Sequence, residues 1–253
     1  MEINGLQITF LEIPARLTQE YNRWYDLDHM PEHISKADVI MGRRYVAQRD
    51  LHGIDGSETD EMFGGHPPYA SIYFFGGPLD FMSDEARNGW TVMDHGIVRA
   101  GRYWKDGRGT HTGWWRVGNA TARPSVLVAP AAIPHLNHRG VIFAYGKAPS
   151  AERRQEAIDW WDKTHLVDLL AVPGVLAAIR CDPVNLDPEF VLHVILCEDH
   201  PAQVMAGIEK AKRYAAAVGR WPAHGGVYES VAFMPYERIV PLEYDFDFGD
   251  DAP

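Results

Sequence analysis

Two acid–histidine pairs stand out as residues that could move protons. In Trp24-Tyr-Asp-Leu-Asp-His29, Asp26 and His29 are three positions apart, a spacing that shares a face on a regular helix. A carboxylate there can accept a hydrogen bond from one imidazole nitrogen, fix the tautomer and leave the other nitrogen as a base. Asp162 and His165 repeat the spacing in Trp160-Trp-Asp-Lys-Thr-His165. A helical wheel sets Trp24, Leu27 and Pro31 opposite Asp26 and His29. The first segment continues into His33, and the matching position of the second is Leu169. Histidines four apart can ligate a metal from one helix face, but Pro31 interrupts the ladder between them. No metal site is therefore expected. The asymmetry makes the first segment the working site, with His29 and His33 in catalysis, and Asp162–His165 a degenerate copy.

Other side chains could complete such a site. His95, beside Asp94, could supply a second acid–base group. Trp90, Trp104 and Trp114-Trp115 are four of eight tryptophans, gathered in one short stretch. Aromatic walls with a few polar groups suit a planar organic ligand, so Trp90, Trp104 and Trp115 are candidate substrate contacts. Alternation in Tyr69-Ala-Ser-Ile-Tyr73-Phe-Phe75 puts Tyr69, Ser71, Tyr73 and Phe75 on one strand face, where a hydroxyl such as that of Tyr73 could bond a substrate oxygen inside a barrel. Arg44 and Arg180 could bind a carboxylate or phenolate, or instead pair with the helix acids.

The elements that must hold these residues come in two rounds. The two hexapeptides match at an offset of 136 residues, and the match runs on through Val39-Ile40 against Val175-Leu176 and Arg44 against Arg180. Short apolar strands are predicted upstream at Leu6–Leu11 and Val141–Tyr145, and downstream at Arg43–Gln48 and Leu176–Cys181. Third strands follow at Tyr69–Phe75 and Phe190–Leu196, then helices near 78–98 and 201–218, then closing strands at Trp114–Val117 and Val227–Phe233. Strand-helix-strand-strand-helix-strand, written twice, is the ferredoxin-like pattern. The expected organisation is residues 1–120, a connector 121–140, a second half 141–236, and an acidic tail 237–253 that is solvated. Each half would leave one apolar sheet face bare, and the simplest cover is the other half's. The fold class expected is α+β, with tandem ferredoxin-like βαββαβ halves forming an intrachain pseudo-dimeric barrel.

The W-Y-D-x-x-H-x-P-E segment, its Arg-Tyr strand and the W-W-D-x-x-H copy resemble the dimeric α+β barrel superfamily, and within it EthD-like proteins. That resemblance implies the barrel fold and a range of chemistries, from isomerases, cyclases and cofactor-free monooxygenases to haem enzymes. Fold alone does not choose among them.

Composition narrows the partners. The chain has 253 residues, 46% hydrophobic and 23% charged, with a net charge of −11. Without a basic run it lacks the face that nucleic acid or anionic membrane demands. Two isolated cysteines, no apolar span and no basic leader point to a cytoplasmic location. GxGxxG, Walker A, CxxC and GxSxG signatures are absent. The expected function is a cofactor-independent lyase, isomerase or cyclase acting on an aromatic, phenolic or polyketide-like small molecule. The alternatives are a haem enzyme with one axial histidine and a non-catalytic ligand-binding module; further pairing into a homodimer is left open.

Overall fold

The computed structural model describes residues 3–35, 38–52, 63, 65–76, 96–221 and 226–249. Eight strands form one closed antiparallel barrel: β1 (Ile3–Glu12), β2 (Val39–Val46), β3 (Tyr69–Gly76), β4 (Arg108–Ala122), β5 (Gly140–Lys147), β6 (Val175–Pro183), β7 (Phe190–Cys197) and β8 (Glu229–Arg238). Their order around it is β1-β3-β2-β8-β5-β7-β6-β4. Valine, isoleucine and aromatic residues dominate these segments, which suits a pleated surface buried on both sides. Each group of four strands has the same internal order, β4-β1-β3-β2 and β8-β5-β7-β6. The two joints differ in length. β4 pairs β6 from Trp115↔Pro183 to Ala122↔Ala177, whereas β2 meets β8 only at Tyr45↔Arg238 and Val46↔Glu237.

The barrel interior is solid. Leu6, Ile8, Phe10, Ile72 and Trp115 from one group of strands meet Phe143, Tyr145, Val194, Met234 and Tyr236 from the other. Ile133, from the short 3-10 turn Pro130–His135 in the connector, packs into the same core. Closure leaves no sheet edge exposed and a large apolar area out of water.

Helices cover the outer faces. Over the first four strands run α1 (Thr18–Trp24), a π-helical turn (Tyr25–His29) and α2 (Met30–Ile34). Over the second four run α3 (Arg154–Trp160), a π-helical turn (Trp161–His165), α4 (Leu166–Leu170) and α5 (Pro201–Ala217). The helix expected near 78–98 falls mainly outside the described residues, which include a helical turn at 96–99. Among the described residues no helix is long and apolar enough to cross a membrane. Cys181 and Cys197 are free and buried, the first in the barrel core and the second in the core under α5.

The tail departs from expectation. Residues 240–249 are docked, with Tyr244, Phe246 and Phe248 packed in the cluster that holds Tyr21, Tyr25 and Tyr69. Three aromatic rings spaced two apart in Tyr244-Asp-Phe-Asp-Phe248 give this segment an apolar side that outweighs its charge.

Candidate functional site

A cavity of about 350 Å³ lies between the outer face of β1, β3 and β4 and the helices α1 and α2. It is outside the barrel, so the hydroxyl face of β3 looks toward helices and not, as expected, toward the barrel interior. Register explains which residues reach it. Gln7 pairs Tyr73 and Trp114, and Thr9 pairs Ser71 and Thr112, so these side chains share the outer face. Tyr21, Trp24, Tyr25, His29 and His33 close it from the helix, and Tyr103 and Trp104 from the segment before β4.

The π-helical turn sets the geometry of the histidines. Its wider turn brings residues five apart together, so Trp24 stacks on His29 with ring centroids 4.7 Å apart. The regular helical wheel that placed Trp24 opposite His29 fails here, and so does the proximity of Asp26 to His29. Asp26 instead accepts 2.7 Å from Arg44 Nη1 and 2.5 Å from the Tyr244 hydroxyl. Trp160 stacks on His165 in the same way, and Arg180 pairs with Asp162. The expectation that Asp26 orients His29 is corrected.

His33 takes over that arrangement. Pro31 sits in the first turn of α2, where a missing N–H is tolerated. The HxxxH face therefore survives the proline, against expectation, and the two rings lie 4.1 Å apart. His33 Nδ1 donates to the His29 carbonyl at 2.8 Å, which fixes the orientation of the ring. The His33 ring also lies 5.3 Å from the ring of Tyr73. His29 is buried and lowered to about 2, first by desolvation and then by the nearby His33 and Arg44, so it is neutral at physiological pH. Among the described residues no cluster of three or more His, Cys, Asp or Glu could hold a metal.

The residues that line the cavity hold buried polar atoms with no hydrogen-bond partner among the described residues: Gln7 Oε1, Tyr21 Oη, His29 Nδ1, Ser71 Oγ and Trp104 Nε1. Around them the hydroxyls of Tyr25 and Tyr73 lie 3.0 Å apart, and Gln7 Nε2 donates to Thr9 Oγ1 at 2.8 Å. Burial raises Tyr21 and Tyr73 well above the ordinary tyrosine range, so both are protonated donors.

Of the residues expected from sequence, His29, His33, Tyr73 and Trp104 meet in this cavity. Trp115 does not: it is fully buried in the barrel core, and Trp114 faces the cavity instead. Arg44 is absent from the lining and pairs with Asp26, with its guanidinium carbon 4.2 Å from the centroid of the Tyr25 ring. His95 and Trp90 lie outside the described residues. Gln7, Thr9, Tyr21 and Thr112 were not anticipated. The alternation of polar Gln7 and Thr9 with apolar Leu6, Ile8 and Phe10 in β1 was the available signal.

The equivalent space under α3 and α4 is filled. By register, Gln7, Thr9, Ser71 and Tyr73 correspond to Ile142, Ala144, His193 and Ile195. His193 is stacked on Trp161 and Leu169 stands for His33. A void of about 10 Å³ borders His165.

The fold is similar to that of several solved proteins. A dye-decolorizing peroxidase from Bacteroides thetaiotaomicron aligns with a TM-score of 0.58 at 4% identity, over 94% of this chain and 93% of that one. A haem-binding protein from Thermus thermophilus gives 0.53 at 10% identity, over 95% and 93%. A candidate monooxygenase from Fusobacterium nucleatum gives 0.50 at 12% identity, over 96% and 98%. The likeness is one of fold: this chain is an α+β barrel. No family model and no curated protein matches it.

One of those proteins binds haem, and a haem would place definite demands on the residues of this chain. An axial imidazole needs open space on its metal side, and the propionates need cationic partners. His165 and His193 are walled in by Trp160, Trp161, Trp221 and Tyr228. His29 faces a cavity whose described lining includes no lysine or arginine. None of these three histidines is placed to hold a haem.

Proposed function

We propose that this chain is a small-molecule enzyme with one working site, the cavity beneath α1 and α2. It binds a planar aromatic compound carrying a hydroxyl and a carbonyl, and it moves a proton on that compound. The observation that carries this reading is the set of five buried, unpartnered polar atoms in residues that line one cavity. Buried polar groups are nearly always paired, so a wall with Gln7 Oε1 as acceptor and Trp104 Nε1 as donor is shaped for a ligand offering both. Trp24, Tyr25, Trp104 and Trp114 supply flat apolar walls, and the volume suits a ligand of two or three rings.

In the proposed chemistry His33, not His29, is the base. It removes a proton from the substrate hydroxyl or from a carbon beside the carbonyl, and charge develops on the carbonyl oxygen. The Tyr21 hydroxyl and Trp104 N–H donate to that oxygen. Returning the proton at another position completes an isomerisation, within the lyase, isomerase or cyclase chemistry expected from sequence. Neutral His29 packs against His33 and excludes a competing cation. No cofactor takes part.

The chain is further proposed to be a tandem duplication of the ferredoxin-like unit, related in motif to EthD-like proteins. The common strand order, the two π-helical turns with their Trp–His stacks, and the two Arg–Asp pairs support this.

The test uses 1-hydroxy-2-acetonaphthone as probe. Binding is followed by quenching of tryptophan fluorescence, and proton transfer by deuterium uptake into the acetyl methyl group in D2O. The wild type should accelerate exchange, and His33→Gln should lose about 100-fold or more of that rate with little change in affinity. Retained exchange in His33→Gln would overturn the assignment. Binding without any exchange in the wild type would leave a ligand-binding module.

A further inference from the structure

We propose that residues 240–249, the strap that follows β8, belong to the N-terminal site, with Tyr244 as a positioning residue that fixes the Tyr21–Tyr25 wall through Asp26 and Arg44. The inference rests on the reading of the cavity as a binding site, but its structural part can be tested without any ligand.

A chain of contacts leads from the strap to the cavity. The Tyr244 hydroxyl donates to Asp26 Oδ2 at 2.5 Å, and the Leu242 N–H donates to the same oxygen at 3.4 Å. Asp26 Oδ1 accepts from Arg44 Nη1 at 2.7 Å, and Arg44 also bonds the side chain and backbone carbonyl of Asn22. The guanidinium then lies under two tyrosines, 4.2 Å from the ring centroid of Tyr25 and 5.5 Å from that of Tyr21. Both rings line the cavity on their other side, and Tyr21 packs edge-on against Trp104. The charge of Arg44 is thus held where it braces two cavity walls without entering the cavity.

Two further observations set the strap apart from a casually docked terminus. Leu242 has a φ of 67°, the sole positive value at a non-glycine among the described residues. A leucine in that region is sterically strained, and such strain persists where surrounding contacts impose it. The strap is also tied at both sides of Asp26: Gln19 Nε2 donates to the Tyr244 carbonyl at 2.9 Å, and Arg49 N donates to the Asp247 carbonyl at 2.7 Å.

The other half supplies the contrast. There Arg180 is balanced by two carboxylates, Asp162 and Asp182, and Asp182 is also paired with Arg154. That Arg–Asp pair needs no strap, and the space it backs is filled. The half with the open, polar cavity is the one whose pair is completed from the C-terminal segment.

The experiment compares full-length Tyr244→Phe with wild type and with Tyr214→Phe, a control on the exposed face of α5. Hydrogen exchange of the amides in residues 18–29 should quicken at least tenfold in Tyr244→Phe and stay unchanged in Tyr214→Phe. Equal exchange in Tyr244→Phe and wild type would overturn the proposal. In the second arm, Tyr244→Phe should weaken binding of 1-hydroxy-2-acetonaphthone about three- to tenfold. A double-mutant cycle with Tyr25→Leu should be non-additive, because both changes act on one wall; strictly additive losses would overturn it. Failure of the wild type to bind the probe would remove the site reading, and the exchange arm would still decide whether the strap positions the wall.

Discussion

Lowering the pH should unfold this protein through its histidines before its carboxylates titrate. His29, His138 and His165 are buried, and burial is the leading cause of values lowered to about 2, about 4 and about 3. His193, fully buried, is lowered in the same direction for the same reason. Their unfolded value is about 6.5, so below that pH the unfolded chain takes up protons that the folded chain refuses. Stability therefore rises with pH across this window and is lost as pH falls from about 6.5 toward the folded values. Each histidine contributes about 1.4 kcal/mol per pH unit, so His29, His138 and His165 together remove about 4 kcal/mol at pH 5.5, and His193 and His66, lowered by burial in the same way, add to that loss. A domain of ordinary stability holds about 5–15 kcal/mol. Urea unfolding followed by far-UV circular dichroism at pH 7.5, 6.5 and 5.5 should show the fall. His165→Phe should reduce the slope by about one proton. A free energy that changes by less than about 1 kcal/mol between pH 7.5 and 5.5 would refute the reasoning.

Two further outcomes follow from the packing. Arg44→Met strands the Asp26 carboxylate in a nearly buried position and should cost about 3–5 kcal/mol in chemical denaturation, with much of the loss recovered in the double variant Arg44→Met/Asp26→Asn. Trp115→Ala should cost about 3–5 kcal/mol by leaving a void in the barrel core, while its effect on probe affinity stays small, because Trp114 and not Trp115 faces the cavity.

The strands were the legible part of this sequence. Predicted Tyr69–Phe75 and Phe190–Leu196 became Tyr69–Gly76 and Phe190–Cys197, because continuous β-branched and aromatic runs leave little choice. β2 began at Val39, earlier than the expected Arg43, since pairing with β3 recruits residues around Gly42 that have weak strand preference of their own. β4 proved longer than its apolar centre, because its ends are held by ladders to β1 and β6 and not by composition. The site was legible in type but not in phase. Trp114 and Trp115 were both visible, but only the pairing with β1 says which one faces outward. The π-helical turn was the larger obstacle. One extra residue in a turn rotates everything after it, so Asp26 went to Arg44 and His29 went to Trp24. The docking of Tyr244 on Asp26 joins positions 218 apart, a contact that no local pattern carries.

The unequal joints give the barrel a spine and a fore-edge. β4 and β6 form the spine, zipped along most of their length, whereas β2 and β8 touch at two residue pairs. The strap leaves β8 at that fore-edge and crosses it: Ile239 N bonds the Arg44 carbonyl, and Asp247 bonds both Arg49 and Gln48 on the far side. It works as a clasp on a book. A cover pulled outward from the fore-edge meets the clasp before it meets a long ladder, so the fore-edge is where opening is expected to begin. The cavity lies under the cover that the clasp holds down.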